Sequence, residues 1–176
     1  PHRPYALLKL SEEAATIKHA NFRATHIYRP SSVYGRVRYG HRLGLISTLI
    51  KNSSSRSVSR LVVRTHTLRD FVYADDVGAY IARKVLCGAS YIGAHIYLLA
   101  HGKPTSIYQI RNYIEAALKH RIYVTFGASL DNQNDMTFSP AALPRDWRPT
   151  DLQVGVRAVV EDYRLGSWLT MRQPIQ

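Results

Sequence analysis

Leu68-Arg69-Asp70-Phe71-Val72-Tyr73-Ala74-Asp75-Asp76-Val77 decides the fold class. Phe71-Val72-Tyr73 is a short apolar run with β-branched and aromatic character, which reads as a strand. Asp75 is placed to cap a helix from about 76 to 87, with Gly88 to end it. A strand running straight into a helix is the repeating unit of an α/β fold.

The same alternation extends in both directions. Residues 4–20 read as a helix, with Pro4 in its first turn. Thr25 to Tyr28 reads as a strand that must stop at Pro30, because proline cannot continue a central ladder. Residues 36–42 form a basic loop, and a helix follows over roughly 43–51. Asn52 to Ser59 is serine-rich and is expected to be a mobile solvent connector. Leu61-Val62-Val63, Ile96 to Leu99 and Ile122 to Phe126 read as strands. Ile107, Ile110, Ile114 and Ala117 recur at helical spacing behind a Thr105 or Ser106 cap. Residues 139–144 read as a short helix. Leu152, Val156, Val159, Val160 and Tyr163 give the last helix its buried stripe, and the tail from Gly166 has no periodicity.

Composition narrows the class. The chain has 176 residues, 45% of them hydrophobic, enough for one sizeable core. No run approaches the roughly 20 apolar residues that span a bilayer. The single cysteine, Cys87, cannot form an internal disulfide and reads as a small buried hydrophobe. A cytoplasmic location is the expectation, with no membrane partner. The eight histidines show no H-x-x-x-H or H-E-x-x-H spacing, so no metal site is expected. The net charge of +12 invites a nucleic-acid reading, but the basic residues are spread along the chain and form no recognisable module. Nucleic acid is therefore the least favoured partner.

One spacing carries chemistry. Tyr5 and Lys9 stand at i and i+4 on one face of the first helix. An ammonium beside a phenol favours the phenolate, lowering a pKa that starts near ~10. Such a pair suits removal of a proton from an alcohol.

Four segments in order resemble a known family: Tyr5 to Lys9; Tyr28-Arg29-Pro30-Ser31-Ser32-Val33-Tyr34-Gly35; Leu68 to Val77; and Leu143-Pro144-Arg145-Asp146-Trp147-Arg148-Pro149 before a last helix ending Glu161-Asp162-Tyr163-Arg164. Their order is similar to the second half of the NAD-dependent epimerase/dehydratase family, the extended short-chain dehydrogenases/reductases acting on nucleotide sugars. That family shows Y-x-x-x-K, R-P-x-N-V-Y-G-P, R-D-F-V-x-V-x-D-V and a closing L-G-W-x-P. This sequence departs from the pattern at Ser32 (for Asn) and Arg36 (for Pro), and the family's Y-N-x-x-x-G segment reads Tyr97-Leu98-Leu99-Ala100-His101-Gly102 here, with Leu98 for Asn. It also lacks the glycine-rich turn that holds a cofactor pyrophosphate.

The resemblance implies an α/β fold: the end of a Rossmann-type parallel sheet domain plus most of a small α/β substrate-binding domain. Residues 1–28 would close the Rossmann part. Residues 29–165 would be mostly the substrate domain, with some strand and helix returning to the Rossmann half, and 166–176 a tail. It implies NAD or NADP as cofactor, a nucleotide-sugar substrate, a missing N-terminal Rossmann half and a homodimer when complete. Tyr5 and Lys9 would be catalytic and touch cofactor. Pro30, Ser31, Ser32 and Val33 would line the nicotinamide, and Ser32, Arg36 and Arg69 would bind substrate. Arg69 would hold diphosphate, against an alternative ion pair with Asp70 or Asp76. Asp75 and Asp76 read as cap residues, and Trp147 as a packing anchor. The complete protein would be an epimerase or dehydratase, and this piece alone inactive. The alternatives are a non-catalytic nucleotide-sugar binding module or subunit and, less favoured, a basic nucleic-acid binder.

A folding expectation follows. The first helix would present Leu7, Leu10 and Ile17 without native cover, and exposed apolar area drives association. Light scattering on the purified chain should give a mass above that of one chain, or the chain should precipitate; a clean, stable monomer would contradict this.

Overall fold

The computed structural model describes residues 4–19, 24–36, 43–87, 92–127 and 134–166. In chain order these form α1 (Pro4–His19), β1 (Ala24–Pro30), β2 (Ser32–Tyr34), α2 (Leu45–Ser54), β3 (Ser59–Leu61), β4 (Leu68–Arg69), β5 (Phe71–Tyr73), α3 (Ala74–Leu86), β6 (Gly93–Leu99), β7 (Thr105–Ser106), α4 (Ile107–Leu118), β8 (Val124–Phe126) and α5 (Leu152–Arg164). The fold is α/β, with β1–β6, β2–β5 and β3–β8 paired in parallel and β4–β7 antiparallel. β1 and β6 make the longest ladder, in register from Ala24 opposite Gly93 to Pro30 opposite Leu99. Residues 37–42 of the expected basic loop, Gly88, and the tail beyond Gly166 lie outside the described residues.

β5 is the wall between two cores. Alternation along a strand sends Phe71 and Tyr73 to one side and Val72 to the other. Phe71 and Tyr73 join a core of Ile46, Leu49, Ile50, Ile110, Ile114, Val156, Val159 and Val160, drawn mainly from α2, α4 and α5. Val72 joins Tyr80, Leu99 and Trp147 in a second core. Burial on both faces is why this segment reads as an unbroken apolar run.

The helical spacing of α4 places Ile107, Ile110, Ile114 and Leu118 in the core. Ser106 caps it reciprocally: its Oγ accepts from Gln109 N at 3.1 Å, and Gln109 Oε1 accepts from Ser106 N at 3.2 Å. α5 is capped by Asp151, whose carboxylate accepts from Gln153 N at 2.9 Å. Trp147 is a buried anchor that donates from Nε1 to Ala100 O at 2.7 Å.

Several local expectations need correction. The serine run does not all connect: α2 continues to Ser54, and β3 already begins at Ser59. Ser54 Oγ donates to Ile50 O and Ser55 Oγ to Lys51 O, so the hydroxyls bond back to the preceding turn. The third strand lies at Ser59–Leu61 instead of starting at Leu61, and residues 140–142 form one 3-10 turn. Tyr73, not Asp75, occupies the cap position of α3, without a side-chain cap bond. Cys87 is exposed at the end of α3, not buried. α1 has no buried residue, and Leu7, Leu10 and Ile17 are all exposed.

One contact between the cores' elements is unusually close. A Cβ on Gly155 of α5 would fall 2.0 Å from the Tyr34 hydroxyl oxygen and 2.9 Å from its Cζ. The Tyr34 hydroxyl is buried with no partner among the described residues, and burial pushes the phenol up. Gly155→Ala should therefore destabilise by about 2 kcal/mol or more through overpacking, despite alanine's better helix propensity. Tyr34→Phe should be neutral or stabilising by up to about 1 kcal/mol, because it removes an unpaired buried hydroxyl. Urea unfolding of both variants and the pair checks this; the pair should recover part of the loss, and an additive pair would refute the contact.

Candidate functional site

The carboxyl ends of β1 and β6 and the amino ends of β2 and β5 meet at one buried carboxylate. Asp70, between β4 and β5, is 0% exposed. Its Oδ1 accepts from the Ser31 hydroxyl at 2.6 Å and from His101 N at 2.8 Å, and its Oδ2 accepts from Gly102 N at 2.8 Å. Its own carbonyl accepts from Ser32 N at 3.2 Å. Ser31 N in turn donates to Leu99 O at 2.9 Å. The turn at 101–102 can aim both amides at one carboxylate because Gly102 sits at φ 78°, where glycine carries no Cβ penalty. A buried charge is tolerated only when its lone pairs are satisfied in this way.

Beside this knot lies a cavity of about 450 Å³. Its walls are Val33, Leu45, Leu61, Val62, Val63, Phe71 and Ile107, with Ser32, Arg60 and Arg69 supplying the polar groups. Among the described residues no carboxylate lines it. Apolar walls with a few convergent cations suit a ligand with a flat apolar part and an anionic part.

Of the residues singled out in the sequence, Ser32, Val33 and Arg69 are brought together in this cavity. Backbone carbonyls hold the Arg69 guanidinium. Its Nη1 donates to Leu68 O at 3.2 Å and to Asn134 O. Asp70 is engaged by Ser31, His101 and Gly102, and Asp76 by Thr150, which donates from N at 2.6 Å and from Oγ1 at 2.8 Å. The cap reading of Asp76 thus gives way to a clamp that fixes the chain just before α5.

Pro30 ends β1, and the amides of Ser31 and Ser32 are already bonded to protein, so a ligand at this turn meets carbonyls and the Ser32 hydroxyl. Arg36 is paired with Asp162 at 2.7 Å and does not line the cavity. Tyr5 and Lys9 stand on α1, outside the cavity lining. Lys9 Nζ is 5.9 Å from the centre of the Tyr5 ring, and Tyr5 is 71% exposed. The ammonium is also bonded to Glu12 at 2.7 Å, which raises the lysine above its ordinary value. α1 is tied to β1 by Arg29 and Glu13, 2.5 Å apart.

Two features were missed in the sequence. Arg60 is a second cation in the cavity; its signal is the exposed middle position of a strand whose neighbours Ser59 and Leu61 are buried. A second Y-x-x-x-K spacing, Tyr80 to Lys84, lies on α3. Here Lys84 bonds Asp146 at 2.8 Å, and the Tyr80 hydroxyl donates to Asp146 at 3.1 Å. Burial, reinforced by that bond, pushes the Tyr80 phenol up to about 12. This pair is a packing device, the reverse of a base. Among the described residues no group of three or more His, Cys, Asp or Glu could hold a metal ion, and no helix is long and apolar enough to cross a membrane.

No family model and no curated protein matches the sequence. Solved structures do match the fold. The UDP-glucose 4-epimerase of Thermotoga maritima, solved with UDP-glucose, matches at TM-score 0.75 and 17% identity over 95% of this chain and 55% of its own. The fold is shared with nucleotide-sugar epimerases. The UDP-glucuronic acid 4-epimerase of Bacillus cereus, solved with UDP-glucuronic acid and NAD, matches at TM-score 0.74 and 21% identity over 94% of this chain and 54% of its own. MoeE5, solved with UDP-glucose and NAD, matches at TM-score 0.75 and 20% identity over 95% of this chain and 57% of its own. The chain therefore spans a little over half the length of these epimerase-fold structures.

The knot at Asp70 has a measurable consequence. Asp70→Asn keeps the shape but puts an amide N–H against a backbone donor. It should cost about 3 kcal/mol in urea unfolding, since hydrogen bonds to a charged group are the strong ones. A loss under about 1 kcal/mol would show that the knot is not holding these segments.

Proposed function

We propose that this chain is the C-terminal part of an NAD(P)-dependent nucleotide-sugar epimerase or dehydratase, and that its cavity takes the nucleoside diphosphate. The observation that carries the reading is the cavity at the carboxyl end of β3, beside the first residues of β2 and β5. Parallel α/β folds bind ligands at such ends. Val62, Val63 and Phe71 offer surface for a base, and Arg69 offers a planar fork for phosphate oxygens. The names of the matched structures, with UDP-sugars and NAD, favour the same ligand class.

In this reading residues 1–28 close the Rossmann part and 29–165 supply mostly the substrate part. An N-terminal half not present in this sequence brings the pyrophosphate site. The uncovered apolar face of α1 is the place where that half, and the second subunit of a homodimer, would pack. NAD, when bound, would accept hydride from a sugar carbon. Tyr5 is the general base: its exposed phenol takes the proton of the sugar hydroxyl. Lys9 sits beside its ring and is free to swing from solvent-exposed Glu12 to the ribose hydroxyls. Pro30, Ser31, Ser32 and Val33 form the turn against the nicotinamide, where the Ser32 hydroxyl can bond a carboxamide or the sugar. Arg36 is the weaker substrate candidate because Asp162 already holds it.

One observation favours binding without turnover for the chain by itself. Tyr5 and Lys9 do not line the cavity, so catalysis needs the further half to bring cofactor and sugar to them.

Calorimetric titration separates these statements. The chain should bind UDP better than uridine, and Arg69→Ala should weaken UDP by about tenfold or more, as loss of a charge-assisted phosphate contact requires. Equal affinity for UDP and uridine, or an unaffected Arg69→Ala, would refute the phosphate site. In the complete protein Tyr5→Phe should lower turnover by at least about a hundredfold with binding retained; unchanged turnover would remove Tyr5 as the base.

A further inference from the structure

The fold brings four of the cations spread along the sequence, Lys51, Arg56, Lys119 and Arg121, to two adjoining turns. Every charged residue from Lys18 to Arg69 is a cation, and residues 116–130 also contain no carboxylate side chain. α2, β3 and the segment from α4 to β8 come from these two stretches. α2 and α4 finish side by side, and each runs through a short turn into β3 and β8, which are parallel. Ser53 Oγ and His120 Nε2 are 2.7 Å apart, Asn52 donates to Ser59 Oγ at 3.0 Å, and Ser59 N donates to Tyr123 O at 2.9 Å. These bonds stitch the two turns together. Lys51, Arg56, Lys119 and Arg121 are all exposed there. Just before β3 and β8 stand Val58, 58% exposed, and Tyr123, 66% exposed. Glu115, the nearest carboxylate along the α4 segment, is engaged by Arg111 and by Ile122 N.

The helix dipole favours cations in a last turn, and that accounts for Lys51 and Lys119 in part. It does not account for Arg56 and Arg121, which lie beyond the helices. Nor does it account for the backbone. Arg56 (φ 52°) and Lys119 (φ 62°) are the two non-glycine residues with left-handed φ among the described residues. Glycine is the residue that helix ends use at such positions. Both positions hold a cation instead, against conformational preference.

We propose that this end of the fold binds the phosphate backbone of single-stranded nucleic acid. Arginine forks and lysine point charges match phosphates, and an exposed tyrosine ring gives a base a face to stack on. An acidic protein segment would use the cations but would not need the ring.

The test is fluorescence anisotropy of a labelled oligo(dT) with the full chain across a salt series. Each phosphate contact on a single strand contributes about −0.7 to the slope of log K against log salt. The double variant Arg56→Gly, Lys119→Gly should fold with an unchanged or higher unfolding midpoint, because glycine relieves both turns. Its slope should be shallower by about 1.4. Tyr123→Ser should weaken binding by roughly tenfold with the slope unchanged. Excess UDP should not displace the oligonucleotide. No binding at about 50 mM salt, where such contacts are strong, would overturn the proposal. An unchanged slope in the double variant would also do so, as would displacement by UDP, which would put the strand in the cavity. Displacement by polyglutamate at equal charge, with Tyr123→Ser without effect, would assign the surface to an acidic protein instead.

Discussion

The structure depends on the burial of one carboxylate. Asp70 is fully enclosed, and an enclosed charge is costly unless donors replace its water. The Ser31 hydroxyl and the amides of His101 and Gly102 do so, and they come from segments far apart in sequence. Meeting that demand fixes the β1–β2 turn, the β4–β5 turn and the end of β6 relative to each other. The cavity wall begins one residue after Ser31 and the guanidinium of Arg69 one residue before Asp70. The geometry of the candidate site is therefore set by the same knot that closes the fold.

Much of the architecture was legible in the sequence because burial there follows a single period. The isoleucines of α4 and the valines of α5 recur at helical spacing and occupy the core, and the α/β class follows from the alternation around β5. The misreadings arise where tertiary contact overrides local preference. Serines 53–55 read as a connector, yet α2 runs on to Ser54 because Ile46, Leu49 and Ile50 anchor it in the core and Ser53 reaches His120. Asp75 and Asp76 read as caps, but Thr150 from a distant segment engages Asp76. The short strands slipped by about two residues because three-residue ladders leave little pattern to read.

The site was only partly legible. Motif order pointed to Ser32, Val33 and Arg69, and the fold puts them in one cavity. Arg60 carried no motif and is recognised only when β3 brings it to the lining of the same space. Spacing alone also could not rank the two tyrosine–lysine pairs. Tyr80 is enclosed and bonded to Asp146, whereas Tyr5 faces outward on a helix whose apolar side has no cover. Identical spacing serves packing in one place and leaves a phenol available in the other.

Amide hydrogen exchange, read residue by residue, tests the central claim most directly. If the Asp70 carboxylate holds these segments, the His101 and Gly102 amides should exchange only with global unfolding, although they lie in a turn. Exchange as fast as that of the exposed turn at Ser55 and Arg56 would contradict the account.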